Sequence, residues 1–142
     1  MKLKFITIIS LAFVLILSPF SMVHADTKDR SISTYKGYGC TTVAKKANKS
    51  GVYLKVSGHG SGRFLLVSVF ADANKGKGKR NWVNVSGQDV ARLGKYVTKG
   101  NKYRLINYAV ERYGKNVPIR LCWDTGSKST GKVSFLWSPD SI

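Results

Sequence analysis

The sequence predicts an all-β fold, an antiparallel β-sandwich of jelly-roll-like form with about 7–8 short strands. Three observations predict it. Apolar residues alternate with polar ones in short runs, Gly and polar clusters separate the runs, and the spacing between runs is regular. No internal repeat interrupts the pattern.

In chain order, the first element is a targeting segment. The chain has 142 residues, and residues 1–25 read as a secretory signal peptide. Lys2 and Lys4 form a basic start, residues 5–17 are apolar except Thr7 and Ser10, and Ser18-Pro19 breaks the run. Val23 and Ala25 are small residues at the −3 and −1 positions, which puts cleavage between Ala25 and Asp26. The apolar run is shorter than the roughly 20 residues of a spanning helix, and no second long run follows. No integral membrane segment is therefore expected after cleavage. Residues 26–34 read as a mobile leader, and residues 35–142 as a single β-sandwich domain. Tyr35 and Tyr38, in Tyr35-Lys36-Gly37-Tyr38-Gly39, precede the first clear strand and are candidate exposed aromatics for ligand contact.

Two cysteines, Cys40 and Cys122, remain in the mature chain, and an even count in a secreted protein predicts a disulfide. Cys122 is out of phase with Ile119, Leu121 and Trp123, and Cys40 is in phase with Thr42 rather than Val43. The bond is thus expected on the polar side, tying a first strand to the penultimate one without crossing the core. Two Cys without supporting His make no ordinary zinc site, so no metal and no cofactor are expected.

Val52, Leu54 and Val56 alternate with Tyr53, Lys55 and Ser57, and His59-Gly60-Ser61-Gly62 reads as a turn. Residues 64–71 are apolar on both faces except at Ser68, as in a central strand. Val83 and Val85 alternate with Trp82 and Asn84. Residues 86–96 fit either a short helix opened by Ser86-Gly87-Gln88-Asp89 or a strand; the strand is preferred, because Lys99-Gly100-Asn101 then turns it into residues 103–110. In that run Tyr103 and Leu105 share one face and Ile106, Tyr108 and Val110 the other, so a β-bulge is expected near residues 105–107. Residues 119–124 and 133–137 complete the strands, and residues 138–142 read as a short tail.

Charge narrows the function. The chain carries 24 Lys+Arg against 7 Asp+Glu, a formal +17 that becomes +15 when Lys2 and Lys4 leave. Glu111 is the only Glu, and His59 the only His of the mature chain. His59, Glu111 and an Arg would be the minimum for a small ribonuclease. His59 lies in a Gly-rich turn, however, where a polar residue needs no catalytic reason. No G-x-S-x-G elbow exists, and Asp72-Ala73-Asn74 lacks the Gly and Glu of a calcium loop. The chain therefore reads as a binding protein, not an enzyme.

The basic residues cluster. Residues 74–81 hold Lys75, Lys77, Lys79 and Arg80 with no acid, between two strands. Lys45, Lys46 and Lys49 form a second group, and Lys95, Lys99, Lys102 and Arg104 a third. One sign in such excess exceeds what solubility needs and attracts polyanions. Lys outnumbers Arg in the loops, which favours charge contact over base-specific reading, so no specific nucleic acid is expected. The expected partner is an anionic extracellular polymer or envelope surface, and the protein is expected to be secreted, either free or retained at the cell wall. The alternatives are an antibacterial, bacteriocin-like protein acting on membranes, and a protease inhibitor presenting residues 58–62 or the basic loop.

Overall fold

A computed structural model describes residues 24–87, 93–127 and 131–141. Residues 1–23 of the expected signal peptide, and residues 88–92 of the ambiguous helix-or-strand segment, lie outside the described residues. The described elements are β1 (Arg30–Thr34), β2 (Tyr38–Cys40), β3 (Ala44–Lys46), β4 (Val52–His59), β5 (Leu65–Asp72), β6 (Trp82–Asn84), β7 (Lys95–Val97), β8 (Lys102–Leu105), α1 (Ala109–Tyr113), β9 (Val117–Asp124) and β10 (Val133–Ser138).

They form two antiparallel sheets. The first runs β1-β10-β4-β8, and the second β2-β9-β5-β6, with β3 also pairing β9 and β7 pairing β5. Alternate residues of both sheets enter one apolar cluster. Val52, Leu54, Val56, Phe135 and Trp137 come from the first sheet, and Leu65, Val67, Val69, Ile119 and Leu121 from the second. Trp123 of the second sheet meets Phe135 of the first edge-on, with ring centroids 5.8 Å apart. Burial of each large apolar side chain contributes about 1.5–3 kcal/mol, so this cluster is the main favourable term for a chain of this size. The sandwich-like arrangement is the one the alternation predicts.

Three local expectations change. The supposed leader, residues 26–34, contains β1, which pairs with β10 from Arg30↔Trp137 to Thr34↔Val133. Its sequence holds one apolar residue, Ile32, so it shows no strand signal; it forms because the β10 edge supplies unpaired backbone groups. The supposed tail is built in as well: Ser138 ends β10, and Asp140 is fully buried. Residues 103–110 are not one bulged strand. β8 stops at Leu105, Asn107 makes an isolated bridge to Ser86, and α1 begins at Ala109. The buried Asn107 causes the break, donating from Nδ2 to the Leu105 carbonyl at 3.1 Å and accepting the Ala109 N–H at 3.3 Å. In the ambiguous segment, Lys95–Val97 is strand β7.

Cys40 and Cys122 are bonded, and they are direct cross-strand partners in the β2–β9 pair. Cys40 is exposed and Cys122 half-buried, whereas Leu121 and Trp123 on either side are buried. The bond therefore lies on the outer face of the second sheet, as the phase of the alternation predicts. It spans a sequence separation of 82 residues. Replacing both cysteines with Ser is expected to lower unfolding free energy by up to about 4–5 kcal/mol through the longer unfolded chain. Urea denaturation measures this, and the far-UV strand signal should persist because the core is untouched.

Candidate functional site

The outer face of the second sheet reads as successive rows across its strands. At one end Tyr38 opposes Asp124, Asp124 opposes Leu66, and Leu66 opposes Tyr96. The next row is Cys40, Cys122 and Ser68, followed by Arg120, Phe70 and Asn84. The far end carries Lys45 opposite Pro118 and Asp72 opposite Trp82. One face thus runs from an aromatic end to a cationic end.

The cationic end is organised by Asp72. Its side chain is fully buried beneath the 74–81 loop. One carboxylate oxygen accepts the N–H groups of Asn74 (3.1 Å) and Asn81 (2.9 Å); the other accepts Gly76 N–H (2.7 Å) and Arg80 Nη1 (2.8 Å). Burial alone would raise the Asp72 pKa, but these four donors outweigh it and hold the carboxyl at about 2. The loop closes further through Ala73 N–H to the Asn81 carbonyl and Asn74 Nδ2 to the Lys79 carbonyl. To wrap around one carboxylate the backbone turns left-handed at Lys75 (φ 52°), Gly76 (φ 81°) and Gly78 (φ 64°). Two of those three positions are Gly, which adopts that region without steric cost. The loop is tied at both ends and in the middle to a single anion.

This ordering displays the lysines. Lys75, Lys77 and Lys79 are exposed. Arg80 is divided between roles, since it pairs with Asp72 while 44% of its side-chain surface stays accessible. Lys45 is exposed and lies opposite Pro118, whose ring is also the neighbour of Gly76, so the fold brings it beside the loop. Arg120, which carries no signal in the sequence, stacks its guanidinium 4.3 Å from the Trp82 ring centroid, with Arg80 at 6.0 Å. Burial lowers the Arg120 pKa, but from so high a value that it keeps its charge.

Two members of the predicted second cluster do not join this patch. Lys46 is fully buried, a correction to its assignment as a surface contact. Its Nζ donates to the Pro139 carbonyl at 2.7 Å and pairs with Asp140 at 3.1 Å. The cause is strand phase: Ala44 and Lys46 share the inward side of β3 and Lys45 the outward side. Lys49 is exposed, but it sits in the turn between β3 and β4, where neighbouring Ser50 accepts the Ser141 N–H from the chain's end.

Of the two predicted tyrosines, Tyr38 lies at the aromatic end and Tyr35 in the connection from β1 to β2. Tyr35 is 66% exposed and Tyr38 79% exposed. They border an open groove of about 780 Å³ lined by Ser31, Ser33, Gly37 and Trp123 among others. Trp123 is anchored there by Nε1 donating to the Lys36 carbonyl at 3.2 Å, and its indole leaves no room for a Cβ at Gly39. On the same face, Phe64 and Tyr96, whose rings lie 4.2 Å apart, and Leu93 are also exposed, and the sequence did not single them out. Leu93 is held to the face by its carbonyl, which accepts from the Ser68 hydroxyl and from Asn84 Nδ2.

His59 has a local bond: its Nδ1 accepts the Lys99 N–H at 3.0 Å, joining the end of β4 to the β7–β8 turn. Glu111 is exposed on α1. Among the described residues no three His, Cys, Asp or Glu side chains gather to hold a metal ion.

Because the Asp72 pKa is depressed, its contribution to stability is present above about pH 4 and is lost as pH falls toward about 2. Asp72→Ala leaves buried N–H groups without their acceptor and is expected to cost about 2–4 kcal/mol at neutral pH. The stability gap between wild type and variant, followed by urea denaturation, should narrow between pH 4 and pH 2.

No curated protein and no solved structure matches the chain. A family model described as "Protein of unknown function (DUF2712)" matches residues 19–141, and the chain belongs to that family.

Proposed function

We propose that this is a secreted cationic binding protein that associates with an anionic polymer or envelope surface through the outer face of its second sheet. The observation that carries the reading is the ordered basic loop. The carboxylate beneath it, Asp72, is consumed inside the loop, so Lys75, Lys77 and Lys79 face solvent without a compensating anion on the loop. Lys45 and Arg120 extend the charge along the same face. A preorganised array loses less conformational entropy on binding than a mobile one. Lysines contact phosphate or carboxylate as point charges and do not require a fixed planar partner. This suits a repetitive polymer better than a single small ligand.

A second reading draws on the other end of the face. Tyr38, Phe64, Leu93 and Tyr96 place exposed apolar surface on the sheet that bears the lysines, the combination that suits an anionic membrane. An antibacterial role on membranes follows from that reading.

One experiment separates them. Retention on an anionic wall polymer is measured across a salt series for wild type and for the Lys75→Gln/Lys77→Gln/Lys79→Gln variant. Retention is expected to fall steeply with salt. The triple variant should bind at least about tenfold more weakly at low salt, since each surface lysine contributes on the order of 1 kcal/mol near an anionic surface. Salt-independent binding, or equal binding by the variant, counts against both readings. Dye release from anionic lipid vesicles by the wild type favours the membrane reading, and intact vesicles with retained polymer binding favour the first.

A further inference from the structure

A second heavily used carboxylate is Asp140. It is fully buried, and its oxygens accept four donors from two other parts of the chain. Lys46 Nζ lies at 3.1 Å, Ala47 N–H at 3.1 Å, Asn48 N–H at 3.3 Å and the Asp26 backbone nitrogen at 2.8 Å. The Asp26 contact is the shortest of the four. It is reciprocated, because the Asp140 N–H donates to the Asp26 carbonyl at 3.2 Å. The Asp26 side chain is held separately by Arg30, through Nη2 at 2.6 Å and Nη1 at 3.3 Å. Asp26 is thus fixed through its nitrogen, its carbonyl and its carboxylate, whereas His24 and Ala25 before it are exposed.

Asp26 is also the residue that the Val23-His24-Ala25 pattern makes first in the mature chain. Hydrolysis of the Ala25–Asp26 peptide by a signal peptidase consumes one water. Ala25 leaves with a carboxylate, and Asp26 keeps the nitrogen as a primary amine. The ordinary pKa of an α-amine is about 7.7–8.0, and a carboxylate at hydrogen-bond distance favours its protonated form.

We propose that the Ala25–Asp26 bond is a processing site whose product completes the fold: the α-ammonium freed on Asp26 becomes the second cation on the buried Asp140 carboxylate. In the uncleaved chain that position holds a neutral amide. Cleavage converts a neutral hydrogen bond into a charge-assisted one, roughly twice as strong, without moving a heavy atom. The geometry leaves a place for it: Lys46 Nζ bonds one Asp140 oxygen, whereas the other accepts the Asp26 and Ala47 nitrogens. Burial lowers the Lys46 pKa in spite of the opposing pull of Asp140 and, more weakly, Glu111. The charged groups around the site are Lys46 and Asp140 within the pair, the Asp26 carboxylate with Arg30 beside it, and Glu111 acting on Lys46. This inference rests on the signal-peptide reading of residues 1–25 and is independent of what the mature protein binds.

The test compares three forms of the otherwise intact domain: one beginning at Asp26, one beginning at His24, and the Asp26 form acetylated at its α-amine. The form beginning at Asp26 should melt about 5 °C higher at pH 7 than the other two. In an Asp140→Asn background the three melting temperatures should coincide. Should that variant fail to fold, the reactivity of the α-amine toward an acylating ester at pH 7 decides. The docked amine should react about tenfold more slowly in the folded protein than in urea, as a pKa raised by one unit requires. Equal melting temperatures of the three wild-type forms, or an α-amine that reacts as fast folded as unfolded, would overturn the proposal. Terminal sequencing of secreted protein that begins elsewhere than at Asp26 would do the same.

Discussion

A buried carboxylate must find donors, and the fold depends on how Asp140 finds its own. An unpaired charge in the interior is costly, and pairing relieves the cost only with good geometry and satisfied lone pairs. Asp140 reaches that state by drawing Asp26, the end of β3 and the segment after β10 to one point. The consequences are architectural. Holding Asp26 beside Asp140 lays β1 along the edge of β10, and holding Lys46 fixes the inward phase of β3 against β9. Such a cluster specifies which segments meet, whatever its net contribution to stability.

Asp72 applies the same physics to a loop. Four donors converge on it, three from the backbone and one from Arg80, and the loop takes the shape that lets them converge. Together these two residues explain how a chain with 24 basic and 7 acidic residues arranges its charge. Acids at Asp72 and Asp140 act as internal staples, so their negative charge is spent on a few named donors and screens little of the exterior. Lys45, Lys75, Lys77 and Lys79 are left outward, and the cationic field of one face follows from where the anions are buried.

Legibility in the sequence followed the range of the signal. Residues 52–57, 119–124 and 133–137 could be assigned because a period of two is a local property, and the same phase put Cys122 on the outer face. The loop at 74–81 was visible as a basic segment, but its order was not, because the donors to Asp72 are spread over residues that look flexible. Lys46 looked like Lys45; only the shared phase of Ala44 and Lys46 hinted at its inward side. β1 escaped notice because Ile32 is its single apolar residue and its partner, β10, lies a hundred residues away. Asn107 broke the supposed strand at 103–110 by competing for backbone groups, a local effect that hydrophobic phase does not report.

The sequence by itself determined the fold class, the disulfide and the excess of positive charge, since alternation, cysteine count and composition need no knowledge of neighbours. The tertiary structure alone decided which cations remain outside, which tyrosines share a face with them, and that Asp26 and Asp140, far apart in sequence, meet. Those outcomes depend on strand order and on pairs distant in sequence. Burial of a charge is settled by the partners that surround it in space, and a single residue's identity carries no record of them.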